Sequence, residues 1–241
     1  MRAFADFPFI APSRFGMLAA LLAVLFLFAG EASAVDLSVS PKNEKTLYKP
    51  EDGTASPKAL KYVLKATDGK KVRWTLKSYP KWLVPEATSG KAKKKKTKLR
   101  FTANTAVIDT LAPGFYKKSI SFSYGKKKKK TKVRRNVTLI VEGNATDGRD
   151  LFMAKCSGCH DLYQNKSGPY IFDVYGRKAG TANGFDHSDA LRKYGKVWEE
   201  ENLNDWLADT QKLVKNADMY FRLKDPAERM NIIAYLKGIS P

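Results

Sequence analysis

The feature that most constrains this chain of 241 residues is the pentapeptide Cys156-Ser157-Gly158-Cys159-His160, which holds both of its cysteines. Cysteines at this spacing can each form a thioether to one haem edge, and the histidine that follows can bind the iron from one face. The motif therefore predicts one covalently attached haem c. A thioredoxin-like site and half of a zinc site are the alternatives, but the C-terminal region has no βαβ pattern and no second cysteine pair.

The N-terminus, residues 1–34, is typical of a secretory signal. Arg2 and Arg14 precede an apolar run over Met17–Ala29, and Ala32-Ser33-Ala34 provides small residues for cleavage. The run is shorter than the about 20 residues that a membrane-spanning helix needs, which leaves an uncleaved anchor as the lesser alternative. We therefore expect a soluble protein exported to the bacterial periplasm, which agrees with haem attachment on the far side of an energy-transducing membrane.

The formal net charge of +20 is unevenly distributed. The excess of lysine and arginine lies within residues 35–145, whereas basic and acidic residues balance in residues 146–241. The length allows two small domains, each with its own core. We therefore predict two domains of different electrostatic character, one over residues 35–143 and one over residues 147–241.

Residues 35–143 show the alternation of apolar and polar positions that is typical of strands, with turn residues between the runs. Several short strands at this spacing predict an antiparallel β-sandwich. Within it we expect strands 97–103, 116–124 and 132–141 to form an up-down-up meander.

This stretch also resembles the immunoglobulin-like modules of bacterial exported proteins, of the BACON type. The resemblance implies an immunoglobulin-like all-β sandwich that serves adhesion, spacing or carbohydrate contact, and no catalysis. It rests on Val72-Arg-Trp74, Trp82-Leu83, Ser89-Gly90, Pro113-Gly114-Phe115-Tyr116 and Asn136-Val-Thr-Leu-Ile-Val141.

Two lysine runs interrupt the β pattern, and such runs are usually solvated loops. In the predicted meander, however, both runs fall at one end, about 30 Å from the end that leads into the second domain. Crowded like charges favour an anionic partner, which is a membrane, a polysaccharide or an acidic protein. We expect no nucleic acid, because the runs contain no aromatic residues. The candidate contact residues are Lys91, Lys93, Lys94, Lys95, Lys96, Lys126, Lys127, Lys128, Lys129 and Lys130.

Residues 147–241 carry helical patterns around the haem motif. Helical spacing leads into the motif over residues 148–155, and further helices are predicted over residues 199–208 and 226–237.

The whole of this second segment resembles class I cytochromes c, close to the mitochondrial and c2 type. The resemblance implies an all-α haem domain acting as a one-electron carrier, with redox proteins as partners and no enzymatic activity. The full predicted fold is therefore an all-β immunoglobulin-like sandwich followed by an all-α cytochrome c domain. The matching positions are Gly148, Phe152, Gly168-Pro169, Tyr175-Gly-Arg177-Lys178-Ala-Gly180, Gly184-Phe185, Ser188-Asp189-Ala190, Val197-Trp198, Asp218-Met219-Tyr-Phe221 and Ile233-Ala-Tyr-Leu-Lys237.

The resemblance also implies the residues around the haem. Met219 is the predicted second axial ligand beside His160, because a neutral thioether favours ferrous iron and raises the potential. The carbonyl of Pro169 would orient the imidazole. Arg177 and Trp198 would hydrogen-bond a haem propionate.

Two observations leave alternatives open. His187 is the other histidine and would give bis-imidazole ligation, whereas Met153 and Met230 are interpreted as core residues. The segment Lys215–Asp218 stands where relatives often carry Pro-Gly-Thr-Lys, and Trp206 replaces a tyrosine, so we expect a weakened bond from the methionine to iron.

The competing functions are a peroxidase-type haem enzyme with an open iron position and an adhesion or spacer protein that carries a cytochrome.

Overall fold

The structure of the protein is a computed structural model that describes residues 36–67, 70–126 and 129–241, without the side chains of Lys126 and Lys129. The predicted signal, residues 1–34, lies outside the described residues, as do Lys127 and Lys128. Within the described ranges, no helix has the length and apolar character needed to cross a membrane.

Residues 36–143, the β region, fold into strands β1 (Leu37–Ser40), β2 (Lys45–Lys49), β3 (Ala59–Ala66), β4 (Val72–Ser78), β5 (Leu83–Pro85), β6 (Ser89–Ala92), β7 (Thr97–Ala103), β8 (Gly114–Lys126) and β9 (Lys129–Val141). They form two sheets with strand orders β1-β3-β7-β5 and β2-β9-β8-β4-β6. Neighbouring strands are antiparallel except for the parallel pair β2 and β9.

One apolar core lies between the two sheets, because alternate residues of each strand point inward. At its centre, Tyr62 and Phe101 of the first sheet contact Phe122 of the second sheet edge to face, with ring centroids 6.5 Å apart in both pairs. Trp74 contacts the same ring from the neighbouring strand at 6.1 Å. Edge-to-face aromatic pairs add stabilisation beyond the area that they bury.

The predicted meander is wrong in its first step. β7 pairs with β3 and β5 in the first sheet, whereas β8 pairs with β9 in the second. The connection between β7 and β8 contains the short helix α1 (Thr105–Ile108), whose Ile108 is buried in the core. A connection of this length does not form a tight hairpin, and it carries the chain across to the other sheet.

The loop Lys93–Lys96 and the described ends of β8 and β9 nevertheless lie at the same end of the β region, which we call the lysine end. The loop Lys93–Lys96 follows Ala92, which pairs with Val72 at the start of β4. Lys126, the last residue of β8, comes two residues after Tyr124, which pairs with Trp74 of β4. The opposite end, where β9 finishes, is about 40 Å away at roughly 3.3 Å for each residue of β8.

Residues 145–241, the haem region, contain helices that account for less than half of the chain there. The prediction of an all-α domain is wrong, because the region is mixed and includes long irregular segments and an isolated antiparallel bridge between Lys178 and Val197. After the Cys-x-x-Cys-His turn, the chain is held by loop hydrogen bonds such as those from Gly168 to Cys159 and from Ile171 to Asp161, which replace helical bonding. The helices are α2 (Ala145–Lys155), α3 (Asp189–Tyr194), α4 (Glu200–Ala208), α5 (Thr210–Leu213) and α6 (Pro226–Gly238).

Helices α2 and α6 cross in close contact. A Cβ atom on Gly148 would lie 1.8 Å from the carbonyl oxygen of Asn231, so only glycine allows this approach. One turn further along, Phe152 packs on Tyr235 with ring centroids 5.5 Å apart. The crossing places the end of α2, and with it the haem motif, against the core of the haem region.

The haem region docks on the outer face of the second sheet. Phe115 is directly opposite Ile140 in the register of β8 and β9, so both side chains point to the same face. They pack against the apolar core of the haem region. Tyr48 is paired with Ile140 from the other side and extends this patch. The β region and the haem region are therefore joined by more than the covalent linker.

Lys237 of α6 lies at the centre of this contact. Its Nζ donates hydrogen bonds to the Tyr48 hydroxyl at 2.9 Å and to the Glu142 and Glu200 carboxylates at 3.1 Å each. Burial lowers the pKa of Lys237, but these hydrogen bonds outweigh burial and raise it above its ordinary value. The ammonium therefore stays charged and bonded to groups from both regions.

Candidate haem-binding site

A cavity of about 390 Å³ lies within the haem region. Cys156, Cys159 and His160 line it together with Met219, and most of the remaining lining is apolar or aromatic. The structure therefore brings the predicted attachment residues and the predicted second ligand to one cavity.

The attachment motif forms a turn directly after α2. The amide of Cys156 bonds to Phe152 at the helix end, and the amides of Cys159 and His160 bond back to the carbonyl of Cys156 at 3.1 and 2.9 Å. Burial raises the pKa of the Cys156 thiol to about 11, so this thiol is protonated at neutral pH. One helix end thus presents two thiols and an imidazole to the same cavity.

His160 is oriented by the loop that follows the motif. Its Nδ1 donates a hydrogen bond to the carbonyl oxygen of Pro169 at 2.7 Å, which leaves Nε2 as the unprotonated nitrogen. Burial lowers the pKa of His160, and the bond to Pro169 only partly offsets this. A Cβ atom on Gly168 would lie 2.5 Å from the imidazole ring, so glycine provides the space for it. A neutral, oriented imidazole beside two thiols fits a covalently bound haem.

Met219 lies in a segment, residues 214–221, that we call the Met loop. Its backbone carbonyl accepts hydrogen bonds from Oγ1 of Thr210 at 2.7 Å and from Nε2 of Gln211 at 2.9 Å. Oγ1 of Thr210 also accepts a hydrogen bond from the amide of Phe221 at 3.0 Å. The fully buried Thr210 therefore holds the loop on both sides of the methionine.

Gln211 bonds to the Met loop at two further points. Its Nε2 donates to the carbonyl of Ala217 at 2.7 Å, and its Oε1 accepts from the amide of Asn216 at 3.1 Å. The sequence reasoning missed both Thr210 and Gln211, because it looked for the relatives' Pro-Gly-Thr-Lys pattern and not for replacements outside it. The sequence feature that could have indicated them is their position directly after Asp209, the residue that caps the N-terminus of α5.

We expect the change Thr210→Val to loosen the Met loop while conserving side-chain volume. It removes one hydrogen bond to the carbonyl of Met219 and leaves the amide of Phe221 without a partner, a loss of about 1–3 kcal/mol. Binding of added imidazole to the ferric iron should become roughly tenfold tighter, as measured by absorbance titration. The control is Thr110→Val, which makes the same side-chain change in the β region and removes an exposed hydrogen bond from Thr110 to the carbonyl of Val107. Equal imidazole affinity in both variants would contradict this role for Thr210.

Arg177 and Trp198 also line the cavity. The Arg177 guanidinium donates to the Asp173 carboxylate at 2.7 Å and to the carbonyl of Tyr170 at 2.8 Å, so its observed partners belong to the protein. Trp198 is buried between other aromatic rings, with Trp206 at 5.5 Å. The predicted contact of Arg177 and Trp198 with a haem propionate stays a prediction.

His187, the alternative ligand, also lines this cavity. Its Nε2 accepts a hydrogen bond from the amide of Ala182 at 3.1 Å, so this nitrogen already has a partner. Met230 is 1% exposed within the core of the haem region, as interpreted from the sequence, whereas Met153 is 58% exposed and is not a core residue. Among the described methionines of the haem region, Met219 is the one that lines the cavity.

This combination of attachment turn, oriented histidine and largely apolar cavity defines a c-type haem protein. The family model described as cytochrome c matches residues 145–240. Cytochrome c of Euglena viridis is 38% identical over 100 residues, which cover 40% of this chain and 98% of that protein. Cytochrome c2 iso-2 of Magnetospirillum fulvum is 42% identical over 87 residues, which cover 35% of this chain and 91% of that protein.

Among solved structures, cytochrome cH from Methylobacterium extorquens matches with a TM-score of 0.39 and 42% identity, covering 40% of this chain and 99% of that one. The sequence relatives show that the chain belongs to the cytochrome c family through its C-terminal region. It is a haem-binding electron carrier with a covalently attached haem c.

Proposed function

We propose that the protein is a monohaem one-electron carrier, and not a haem enzyme, in which Cys156 and Cys159 attach the haem while His160 and Met219 bind its iron. The observation that carries the proposal is the neutral imidazole and the hydrogen-bonded Met loop on one cavity. If His160 and Met219 both bind the iron, no position on the iron would remain open for a substrate.

The bound haem supplies a metal centre that accepts and releases one electron, with a potential set by its ligands and surroundings. The side chains of this protein would hold the cofactor and limit the movement of its ligands. Pro169 fixes the ring of His160, which keeps that ligand in one orientation. Phe152, Leu203 and Ile232 contribute to the apolar lining that keeps water away.

The purified ferric protein, expressed with the haem-attachment machinery, tests this proposal. We expect reversible one-electron reduction and slow binding of cyanide and peroxide, because the Met219 side chain would compete with these added ligands. Rapid binding of either ligand to the wild-type protein would contradict a closed iron site and favour the peroxidase-type alternative.

We further propose export to the bacterial periplasm and docking on an anionic partner through the lysine end. The signal-like pattern of residues 1–34 supports export. Exposed lysines at Lys91 and Lys93–Lys96, far from the contact with the haem region, support docking. The immunoglobulin-like nature of the β region is not needed for this docking and stays a prediction.

Replacing Lys93, Lys94, Lys95 and Lys96 together with serine should weaken docking at least tenfold, since each lysine near an anionic surface contributes about 1 kcal/mol. Binding of the full chain to anionic vesicles and to an acidic polysaccharide should be measured by cosedimentation at low and high salt. Serine at Lys58, Lys61, Lys81 and Lys118 removes the same charge away from the lysine end and is the control. Absence of wild-type binding to both anionic probes at low salt would remove the docking proposal.

A further inference from the structure

The outer face of the second sheet carries a line of small polar residues beside a row of cations on β9. β8 is the middle strand of this sheet, and Ser119, Ser121 and Ser123 point outward from it, since Ile120, Phe122 and Tyr124 point into the core. The row of cations on β9 and the pair of cations on β4 and β6 border this line on its two sides, and we call the line and its borders the serine groove.

One wall of the serine groove is formed by β9. Arg134 is directly opposite Ser121, Lys132 is opposite Ser123, and Lys130 is opposite Gly125, so each cation shares the outer face with its partner on β8. Successive wall residues are about 7 Å apart along the strand. Ser121 and Ser123 are 5% and 4% exposed, whereas Arg134 and Lys132 beside them are exposed.

The other wall is formed by β4 and β6. Thr75 is paired with Ser123, and Arg73 stands one outward position further along β4. Arg73 is directly opposite Lys91 of β6, and like charges in such a pair destabilise a sheet. No residue of β4, β6, β8 or β9 is acidic, and no wall cation forms an ion pair with any described residue. An anion bound between the walls would relieve this repulsion.

The position of the haem region limits the shape of that anion. Phe115 and Ile140, which contact the haem region, lie on the same outer face as Ser121 and Ser123, further along the same strands. Lys117 lies between Phe115 and Ser121 on β8 and forms an ion pair with Glu201 of α4 at 2.5 Å. The haem region therefore protrudes from the outer face of the sheet at one end of the serine groove. A flat bilayer would contact this protrusion before it reached the groove, whereas a single polymer chain fits beside it.

We propose that the serine groove binds a linear acidic polysaccharide, whose carboxylates pair with the exposed wall cations while its sugar rings lie along the line of serines. This inference rests on the docking proposed for the lysine end and names its partner. The groove opens at the lysine end, so one chain can contact the loop Lys93–Lys96 and the groove together.

The test uses the full holoprotein, with polygalacturonate as the acidic polymer, dextran as the neutral one and anionic phospholipid vesicles as the competing surface. Ser123→Leu fills the floor of the groove and keeps every charge. We expect it to weaken polygalacturonate binding at least tenfold and to change vesicle binding less than twofold. Lys132→Ser combined with Arg134→Ser removes exposed residues of one wall without touching the core, and should weaken polygalacturonate binding by a similar factor.

The control is Lys58→Ser combined with Lys61→Ser, which removes two charges elsewhere on the β region and should bind like the wild type. Polygalacturonate binding as tight as that of the wild type in both Ser123→Leu and the wall variant would overturn the serine groove while leaving docking at the lysine end intact. If the wild type binds vesicles but not polygalacturonate, the polysaccharide is the wrong partner. If it binds neither, the docking proposal itself fails.

Discussion

The variant Met219→Ala should lose the weak near-infrared absorption band that reports a bond from methionine to ferric iron. Alanine offers no sulfur at the position where this side chain lines the cavity, and His187 is held by the amide of Ala182. The affinity of the ferric iron for added imidazole should rise at least tenfold, the effect of removing a competing bond of about 1.4 kcal/mol. The reduction potential should fall with the loss of the thioether.

Met153→Ala is the matched control, because it removes a methionine of the same region that is largely exposed to solvent. It should keep the near-infrared band, the imidazole affinity and the potential of the wild type. A band that persists in Met219→Ala would show that another residue binds the iron and would contradict the proposed ligand set.

The second large effect is expected from Gly148→Ala, although it adds a single methyl group. The new Cβ would meet the Asn231 carbonyl oxygen at 1.8 Å and the Tyr235 Cβ at 3.0 Å. Backbone atoms cannot move aside as a flexible side chain can, so α2 and α6 must separate. We expect a loss of about 3 kcal/mol or more, at the upper end of the cost of overpacking. The melting temperature should fall by roughly 10 °C or more, as measured by circular dichroism.

Gly238→Ala makes the same chemical change at the end of α6, where a Cβ atom meets nothing within 4 Å. This control should be as stable as the wild type or slightly more stable, since alanine favours the helix. Equal melting temperatures for the two variants would mean that α2 and α6 do not cross as closely as the structure shows.

Local patterns predicted the parts of the fold that depend on near neighbours. The strand predicted over residues 97–103 is β7, and the helices predicted over residues 199–208 and 226–237 differ from α4 and α6 by one residue each. Strand alternation and helix capping are set within a few residues, so they can be read from the sequence. The attachment motif is local for the same reason.

The features that the sequence did not reveal depend on distant pairs. Lys237 bonds to Tyr48 and Glu142, and no pattern of spacing relates residues so far apart in the chain. The bonds from Thr210 to the Met loop exist only once the chain has folded back on α5. The all-α prediction was wrong for the same reason. Around the cavity, hydrogen bonds between loop residues that are farther apart in the chain replace the hydrogen bonds of a helix.

The contact around Lys237 has a consequence for how this carrier meets its redox partners. A haem domain on a free linker rotates and presents its exposed edge in every direction. Here the bonds from Lys237 to Tyr48, Glu142 and Glu200 hold it in one orientation on the sheet. If the lysine end is anchored as we propose, the haem region would keep one orientation and one height above the anchoring surface. We infer that the β region would then limit the directions from which a redox partner can approach.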